Sequence, residues 1–333
     1  RLKERKLSLE SGQLPIICSH KHRNSRGPTS IRNTLKSLTE FIKTKIMKIS
    51  IASPKDKERI ALIWKLSFGS SDDFFELFYT KAYPHSRTYI VLEAGEIVSV
   101  ATIIKSNFVA DTPSKGGYLY GVCTHPDHRG KGYAKRVIEY ATEEALKWGM
   151  EYIVTRPASK ELFRFYRSIG FNQTLFRRKL SLPLPSSTEK IATRDLKYNN
   201  IVPIRKYFLQ KNYFAWDRLY YDYFLGYLNY AKGIALEFHN HRYIIGHPNF
   251  EDNTTFDLLE LGHPVTSILR YPTLYYAENI IKERYPEVEK ISLYLPPIAQ
   301  YNDIEEGEIE EFALVKSDTI IFNSESFFNF SAE

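Results

Sequence analysis

The alternation of hydrophobic and polar residues is most regular between residues 118 and 171. Residues 118–124 read as a strand, and a basic turn with two glycines follows at residues 129–132. Beyond the turn, apolar residues recur every three or four positions, which predicts an amphipathic helix. Its apolar stripe consists of Ala134, Val137, Ile138, Ala141, Ala145 and Trp148. Gly149 stands directly after the last periodic position, so the helix is expected to end there.

The elements after this helix continue the same alternation. Residues 151–155 read as a short strand that ends at Arg156-Pro157, and residues 159–166 read as a second helix. Ile169-Gly170-Phe171 then leads into another strand. Strands that alternate with helices in this way predict an α/β fold.

The turn at residues 129–132 has the features of an anion-binding site. Backbone N–H groups at a helix N-terminus are free to converge on a phosphate, and the helix dipole favours negative charge there. Arg129 and Lys131 add formal positive charge. His125 stands where a Walker A loop needs its first glycine, and Lys135 where a dinucleotide fingerprint needs its third. The turn therefore predicts a diphosphate-binding site. It belongs neither to the Walker A class nor to the dinucleotide-binding class.

Two sequence motifs, one following the other along the chain, resemble those of a known family. Arg129-Gly130-Lys131-Gly132-Tyr133-Ala134 fits Arg-x-x-Gly-x-Ala, and residues 165–171 fit Phe-Tyr-x-x-x-Gly-Phe. With both motifs on the expected elements, the sequence resembles the GNAT superfamily of acyl-CoA-dependent N-acetyltransferases. The resemblance implies an α+β fold with a mixed central sheet and flanking helices. It also implies acetyl-CoA as acyl donor and a small-molecule or peptide amine as acceptor. No metal site is predicted.

The resemblance also implies roles for individual residues. The turn would bind the pyrophosphate through Arg129, Gly130, Lys131, Gly132, Tyr133 and Ala134. The pantetheine arm would lie along Val122, Cys123 and Thr124, with a backbone N–H of Val122 or Cys123 near the thioester oxygen. Tyr166 matches the tyrosine that protonates the departing thiolate, and Ser159 stands where the family has a cofactor-contacting Asn. Cys123 is expected to be structural, since no activating partner is visible in the sequence.

The general base is left open by the sequence. Many family members carry a carboxylate on the strand that precedes the turn, but residues 118–124 contain none. Glu93, His125, Asp127 and the terminal carboxylate of Glu333 are candidates, and a chain of water molecules is another. Glu93 and Asp127 are equally typical of solvated turns, and His125 of packing at the end of a strand.

Composition and charge narrow the class of protein. The length of 333 residues suggests two domains, and 43% hydrophobic with 14% aromatic residues predicts packed cores. No apolar run of about 18 residues occurs, so no membrane span is expected. Two cysteines are too few for a disulfide framework, which fits a cytoplasmic protein.

The net charge of +7 is concentrated at one end of the chain. Residues 1–46 hold eleven Lys and Arg against three Asp and Glu, whereas the remaining 287 residues hold 35 against 36. The positive charge therefore belongs to a basic N-terminal extension, and nucleic-acid binding is not predicted for the rest. Because the first Met is Met47, residues 1–46 are interpreted as an extension outside the native chain. An amphipathic targeting segment is the alternative.

The second half of the sequence echoes the first. Residues 90–93 match 234–237, residues 118–126 match 256–264, and residues 47–52 match 190–193 more weakly. The matches keep their order and a nearly constant offset, so two tandem GNAT-like domains are predicted, at 47–182 and 190–333. After His263-Pro264 no glycine follows up to Pro272, which predicts a degenerate second copy without a cofactor site. This arrangement resembles the tandem-GNAT acetyltransferases of the enhanced-intracellular-survival type.

Two unusual stretches lie in the second half. Eleven aromatic residues fall between Tyr207 and Tyr230, and they are interpreted mainly as a helix packed on its sheet, with some tyrosines able to face a cleft. The acidic run at residues 303–311 is expected to be a solvated loop before a terminal strand.

The sequence thus predicts an N-acetyltransferase that transfers acetyl from acetyl-CoA to a primary amine. A non-catalytic acyl-CoA-binding sensor or scaffold is the alternative, because no base is evident. A polyamine, an aminoglycoside, an amino acid and a peptide N-terminus all remain open as acceptors, and the oligomeric state is not predicted.

Overall fold

The computed structural model describes residues 47–186, 188–262, 273–297, 307–323 and 325–328. The predicted N-terminal extension, the second-copy turn at residues 263–272 and the candidate base Glu333 lie outside the described residues.

The strands of the described residues form the framework of the molecule. They are β1 (Lys48–Ile51), β2 (Ser86–Glu93), β3 (Glu96–Val109), β4 (Ser114–Thr124), β5 (Tyr152–Thr155), β6 (Gln173–Pro183), β7 (Arg194–Asp195), β8 (Tyr213–Trp216), β9 (Ile234–Glu237), β10 (Tyr243–Pro248), β11 (Thr255–Leu261), β12 (Lys290–Leu295) and β13 (Glu308–Lys316).

The helices lie between these strands. They are α1 (Lys57–Phe68), α2 (Asp72–Lys81), α3 (Tyr133–Lys147), α4 (Lys160–Ser168), α5 (Tyr198–Leu209), α6 (Arg218–Tyr230) and α7 (Thr273–Arg284). Short 3-10 turns occur at Pro54–Asp56, Tyr83–His85, Pro126–His128 and His239–His241.

These strands form a single mixed sheet whose order is nearly palindromic. The 13-stranded sheet contains the path β1-β2-β3-β4-β5-β13-β6-β12-β11-β10-β9-β7, with β8 paired to β3 off that path. From either end, three antiparallel pairings are followed by one parallel pairing, β4 with β5 or β11 with β12. The central pair, β13 with β6, is antiparallel. Each half of the path therefore repeats the strand directions of the other.

The last strand of each half lies in the other half of the sheet. Strand β13 pairs with β5, and its Leu314 is fully buried in a cluster with residues of β2, β3 and α3. Strand β6 pairs with β12, and its Leu180 is buried in a cluster with residues of β9 to β12 and α7. This exchange joins the two halves through both backbone hydrogen bonds and apolar packing.

Helices cover both faces of the first half of the sheet. Helices α3 and α4 pack on one face through residues such as Val137, Ile138 and Phe163. Helices α1, α2 and α6 pack on the opposite face, where Trp64, Phe78 and Tyr223 are buried together. The α/β fold with a mixed sheet is thereby confirmed.

Two local expectations differ from the structure. Residues 308–311 are not loop but the first part of β13, where Glu310 pairs in register with Arg177 of β6 and forms an ion pair with it. Oε1 of Glu311 lies 2.5 Å from Nη2 of Arg167. The acidic run therefore supplies partners for cations on neighbouring elements. The first strand of the second half, expected near residues 190–193, is β7 at Arg194–Asp195.

No helix in the parts of the chain that the structure describes is long and apolar enough to cross a membrane.

Candidate active site

A wedge-shaped gap opens between β4 and β5. The two parallel strands are paired only from Gly116 with Tyr152 to Tyr118 with Val154. Strand β4 continues to Thr124, six residues beyond the last pair, whereas β5 ends at Thr155. Backbone groups on this part of β4 are therefore available to a ligand lying along the strand.

A β-bulge shapes β4 inside this gap. Val100 of β3 lies opposite Cys123 and Thr102 lies opposite Tyr120, so Gly121 and Val122 together oppose one residue. Gly121 has a φ of 60°, and a Cβ there would overlap Cζ2 of Trp64. Glycine is required here both for the left-handed backbone and for the approach of the indole ring. The bulge frees backbone groups at the position where a thioester oxygen was predicted to bind.

A cleft of about 520 Å³ surrounds the gap. One wall is the loop and helix after β5, and the opposite wall is built by α1, α2 and α6. The lining residues are Trp64, Phe68, Gly69, Ser70, Phe74, Tyr118, Leu119, Tyr120, Gly121, Val122, Thr155, Arg156, Pro157, Ala158, Leu162, Tyr166, Tyr227, Tyr230 and Phe250.

The basic turn has the backbone that an anion site needs. After the 3-10 turn at Pro126–His128, Gly130 and Gly132 have φ angles of 77° and 78°. Gly132 is the N-cap of α3, and a Cβ on either glycine would meet no heavy atom within 4 Å. The glycines therefore serve backbone conformation rather than close packing, and the N–H groups at the start of α3 lie at an open surface.

The turn is anchored to the end of β2 by Glu93. One carboxylate oxygen of Glu93 accepts a hydrogen bond from the Tyr133 hydroxyl, and the other lies 2.9 Å from Nδ1 of His128. These two contacts hold the pKa of Glu93 below its usual value, and the hydrogen bond from Tyr133 has the larger effect. Tyr133 was predicted to contact the cofactor, and its buried side chain instead joins the turn to the sheet. Its backbone N–H remains at the helix N-terminus.

Tyr166 lies in the cleft on α4. Its side chain is 7% exposed, and its ring packs edge-on against Phe171. Burial raises the pKa of Tyr166 to about 12, and a hydrogen bond with Thr155 acts in the opposite direction. The hydroxyl is thus protonated at neutral pH, as a proton donor to a thiolate must be.

The other predicted cofactor residues differ in their surroundings. Val122 lines the cleft, whereas the Cys123 thiol is buried, and burial raises its pKa far above the usual value. A thiolate nucleophile is disfavoured there. Thr124 accepts from Arg129 Nε through its carbonyl at 3.3 Å, which places the arginine across the turn. Ser159 is the N-cap of α4 and accepts from the Leu162 N–H at 3.3 Å.

None of the candidate bases lines the cleft among the described residues. Glu93 is held by Tyr133 and His128, and Nδ1 of His125 accepts from the backbone N–H of Asp127 at 3.3 Å. Among the described residues that line the cleft, one side chain is charged, that of Arg156.

Sequence reasoning missed two features of this cleft. Gly121 inside the strand pattern could have signalled the bulge, because an isolated glycine in a strand is typical of one. Trp64 carries no local signal, since its approach to Gly121 depends on the packing of α1 across the sheet. The aromatic stretch after residue 207 behaves as interpreted: Tyr220, Tyr221 and Tyr223 are buried in the core, whereas Tyr227 and Tyr230 line the cleft.

The fold and the cleft define a class of protein. In the described residues, two parallel strands of a mixed sheet separate beside a basic helix N-terminus that contains two glycines. Residues 48–174 match the family model of an acetyltransferase (GNAT) domain, and the chain therefore carries a domain of the GNAT family.

Solved structures agree with this assignment at the level of the fold. A probable N-acyltransferase from Enterococcus faecalis V583, a conserved protein of unknown function, has a TM-score of 0.62 at 12% identity and covers 82% of this chain and 73% of that chain. A GCN5-related N-acetyltransferase from Anabaena variabilis ATCC 29413 has a TM-score of 0.61 at 14% identity, with 81% and 72% covered. Eis1 from Mycobacterium abscessus has a TM-score of 0.55 at 14% identity, with 82% and 73% covered. A search of curated protein sequences finds no match.

Proposed function

We propose that this protein is an N-acetyltransferase that moves an acetyl group from acetyl-CoA to a primary amine. The observation that carries the proposal is the gap between β4 and β5, which has the phosphate-type turn at one end and the Tyr166 hydroxyl within it. A pantetheine arm in the gap would connect a diphosphate at the turn with a thioester at the bulge.

The donor would be held mainly by backbone. The N–H groups that begin α3 would bind the diphosphate, and Arg129 and Lys131 would supply positive charge at the exposed turn. The free backbone groups of β4 near Val122 would form hydrogen bonds with the amides of the pantetheine arm. The arm would thus pair with β4 as a neighbouring strand does.

The reaction would use the bulge and Tyr166. The neutral amine attacks the thioester carbon and forms the new N–C bond, while a backbone N–H at Gly121 to Cys123 donates to the oxyanion. The C–S bond then breaks, and Tyr166 donates its proton to the departing thiolate. Because no carboxylate or imidazole lies among the described lining residues, we assign removal of the amine proton to water in the cleft.

We further propose that residues 47–182 and 190–333 are two copies of one fold, with the first as the catalytic domain. The palindromic strand order supports this proposal, because each half repeats the same pairing directions. In this proposal the two copies also exchange strands. Strand β13 of the second copy pairs with β5, and β6 of the first copy pairs with β12.

Calorimetric titration of the full chain with acetyl-CoA, and separately with free coenzyme A, tests the proposal. We expect saturable binding at one site per chain, followed by amine-dependent release of coenzyme A in a thiol assay. Binding without amine-dependent release would favour the alternative, an acyl-CoA-binding sensor or scaffold. No binding would overturn the proposed function.

A further inference from the structure

Much of the lining of the cleft is a wall of aromatic side chains. It is built by Trp64, Phe68, Phe74, Tyr118, Tyr120, Tyr227, Tyr230 and Phe250. Three of these rings remain exposed to solvent in spite of their size: Phe68 at 51%, Tyr230 at 49% and Phe250 at 61%. Exposed aromatic rings grouped around a concave site are typical of a surface that binds an apolar ligand.

Two buried polar atoms lie in the same wall without a hydrogen-bond partner among the described residues. They are Nε1 of Trp64 and Oγ of Ser70. Trp64 is 1% exposed, and a Cβ on Gly121 would overlap its Cζ2 and lie 3.1 Å from its Cε2. The edge of the indole that carries Nε1 therefore lies beside the bulge, where the acetyl group is expected. Buried donors are almost always satisfied in folded proteins, so this N–H is suited to a ligand.

The charge of the cleft does not suit a polycation. Arg156 is the one charged side chain among the described lining residues. A polyamine or an aminoglycoside would bring several positive charges into an aromatic cleft. Those charges would lose hydration, and no carboxylate among the described lining residues would replace it.

We propose that the acceptor is a primary monoamine on an aromatic body, with a hydrogen-bond-accepting oxygen close to the amine. The aromatic wall would hold the ring, the Trp64 N–H would donate to the oxygen, and the Ser70 hydroxyl would complete the polar end of the subsite. Trp64 is thereby assigned as a specificity-determining residue. The inference rests on the proposed function, since it names the acceptor of the same reaction.

Three probes and one pair of variants test this assignment. The full chain saturated with coenzyme A is titrated calorimetrically with L-phenylalanine amide, with 2-phenylethylamine, which lacks the carboxamide, and with spermidine. We expect the amide to bind about 10-fold more tightly than 2-phenylethylamine, and spermidine more weakly than both, because a site built to donate a hydrogen bond rejects a ligand that cannot accept it.

Trp64→Phe removes the N–H donor and part of the aromatic wall, so it should weaken binding of the amide more than binding of 2-phenylethylamine and abolish the advantage of the amide. Trp216→Phe is the matched control, because Trp216 is also buried with an Nε1 that has no partner among the described residues, but it does not line the cleft. Ser70→Ala should likewise weaken the amide selectively, and it serves as the second variant if Trp64→Phe does not fold.

Three outcomes would overturn the inference: tighter binding of spermidine, no binding of any probe, or equal loss of both aromatic amines in Trp64→Phe. The coenzyme A titration distinguishes these results from a failure of the proposed function. If coenzyme A binds and spermidine is preferred, only the acceptor class is wrong. If coenzyme A does not bind, both proposals fall.

Discussion

At the scale of single residues, Tyr166 is the side chain on which the proposed chemistry depends most directly. Its raised pKa, about 12, keeps the hydroxyl protonated across the physiological range. We expect Tyr166→Phe to lower kcat about 100-fold with little change in KM for acetyl-CoA, since general acids contribute about 10²–10⁴-fold and a thiolate leaves readily. Steady-state kinetics with a saturating amine would measure this effect.

Tyr152→Phe is the control for this substitution. Tyr152 is also buried, and its hydroxyl lies 3.1 Å from Ser106 Oγ, outside the cleft. Equal losses of kcat in the two variants would mean that Tyr166 acts through packing. The acid must also be protonated, so loss of the Tyr166 proton should lower wild-type kcat only on the alkaline side, as the pH rises toward about 12.

At the scale of elements, the turn before α3 is the proposed binding site of the acyl donor. Gly132→Val should abolish acetyl-CoA binding, because the φ of 78° is strained for a β-branched residue and its side chain would stand at the helix N-terminus. Gly149→Val is the matched control at the other end of α3, where φ is 81° and space is equally open. Calorimetry should show binding lost only in Gly132→Val, and retained affinity there would contradict the phosphate site.

The contacts of Glu93 with this turn should make the stability of the fold depend on pH. Because Tyr133 and His128 lower the pKa of Glu93, the folded chain holds the carboxyl proton less tightly than the unfolded chain does. The resulting stabilisation is complete above the unfolded pKa of 4.5 and is lost as the pH falls through the lower folded pKa. Glu93→Gln should therefore lower Tm at neutral pH, and the difference from wild type should shrink at about pH 3.

Thermal unfolding at both pH values would measure the difference. Glu96→Gln changes an exposed carboxylate at the start of β3 and should shift Tm little at either pH. A Tm difference for Glu93→Gln that stays constant with pH would mean that the stabilisation does not depend on ionisation.

How far the sequence predicts these elements depends on whether the signal is local. The helix over Tyr133–Lys147 and the turn with Gly130 and Gly132 follow from periodicity and from backbone freedom, so both could be predicted. The contact of Trp64 with Gly121 arises only when α1 packs across β4, and no local pattern encodes it. Glu93 was identified as a candidate base, but its role as an anchor depends on partners 35 and 40 residues away.

At the scale of the whole molecule, the exchange of β6 and β13 links the two halves. A strand that completes the sheet of the other half is buried there, as Leu314 of β13 is in the first half and Leu180 of β6 is in the second. The two halves of the sequence are thus joined by the last strand of each half. Such an arrangement favours cooperative unfolding, because neither half retains its central pairings without the other.

Leu314→Ala tests this coupling. The side chain is fully buried, so we expect a loss of about 2–5 kcal/mol in unfolding free energy. Ile309→Ala on the same strand is the control, because Ile309 is 53% exposed and should cost little. Hydrogen exchange followed by mass spectrometry would report on the halves separately. If they unfold as one unit, Leu314→Ala should lower protection of α3 and of β12 by the same free energy. Loss of protection in α3 alone would show that the exchanged strands join two halves that still unfold independently.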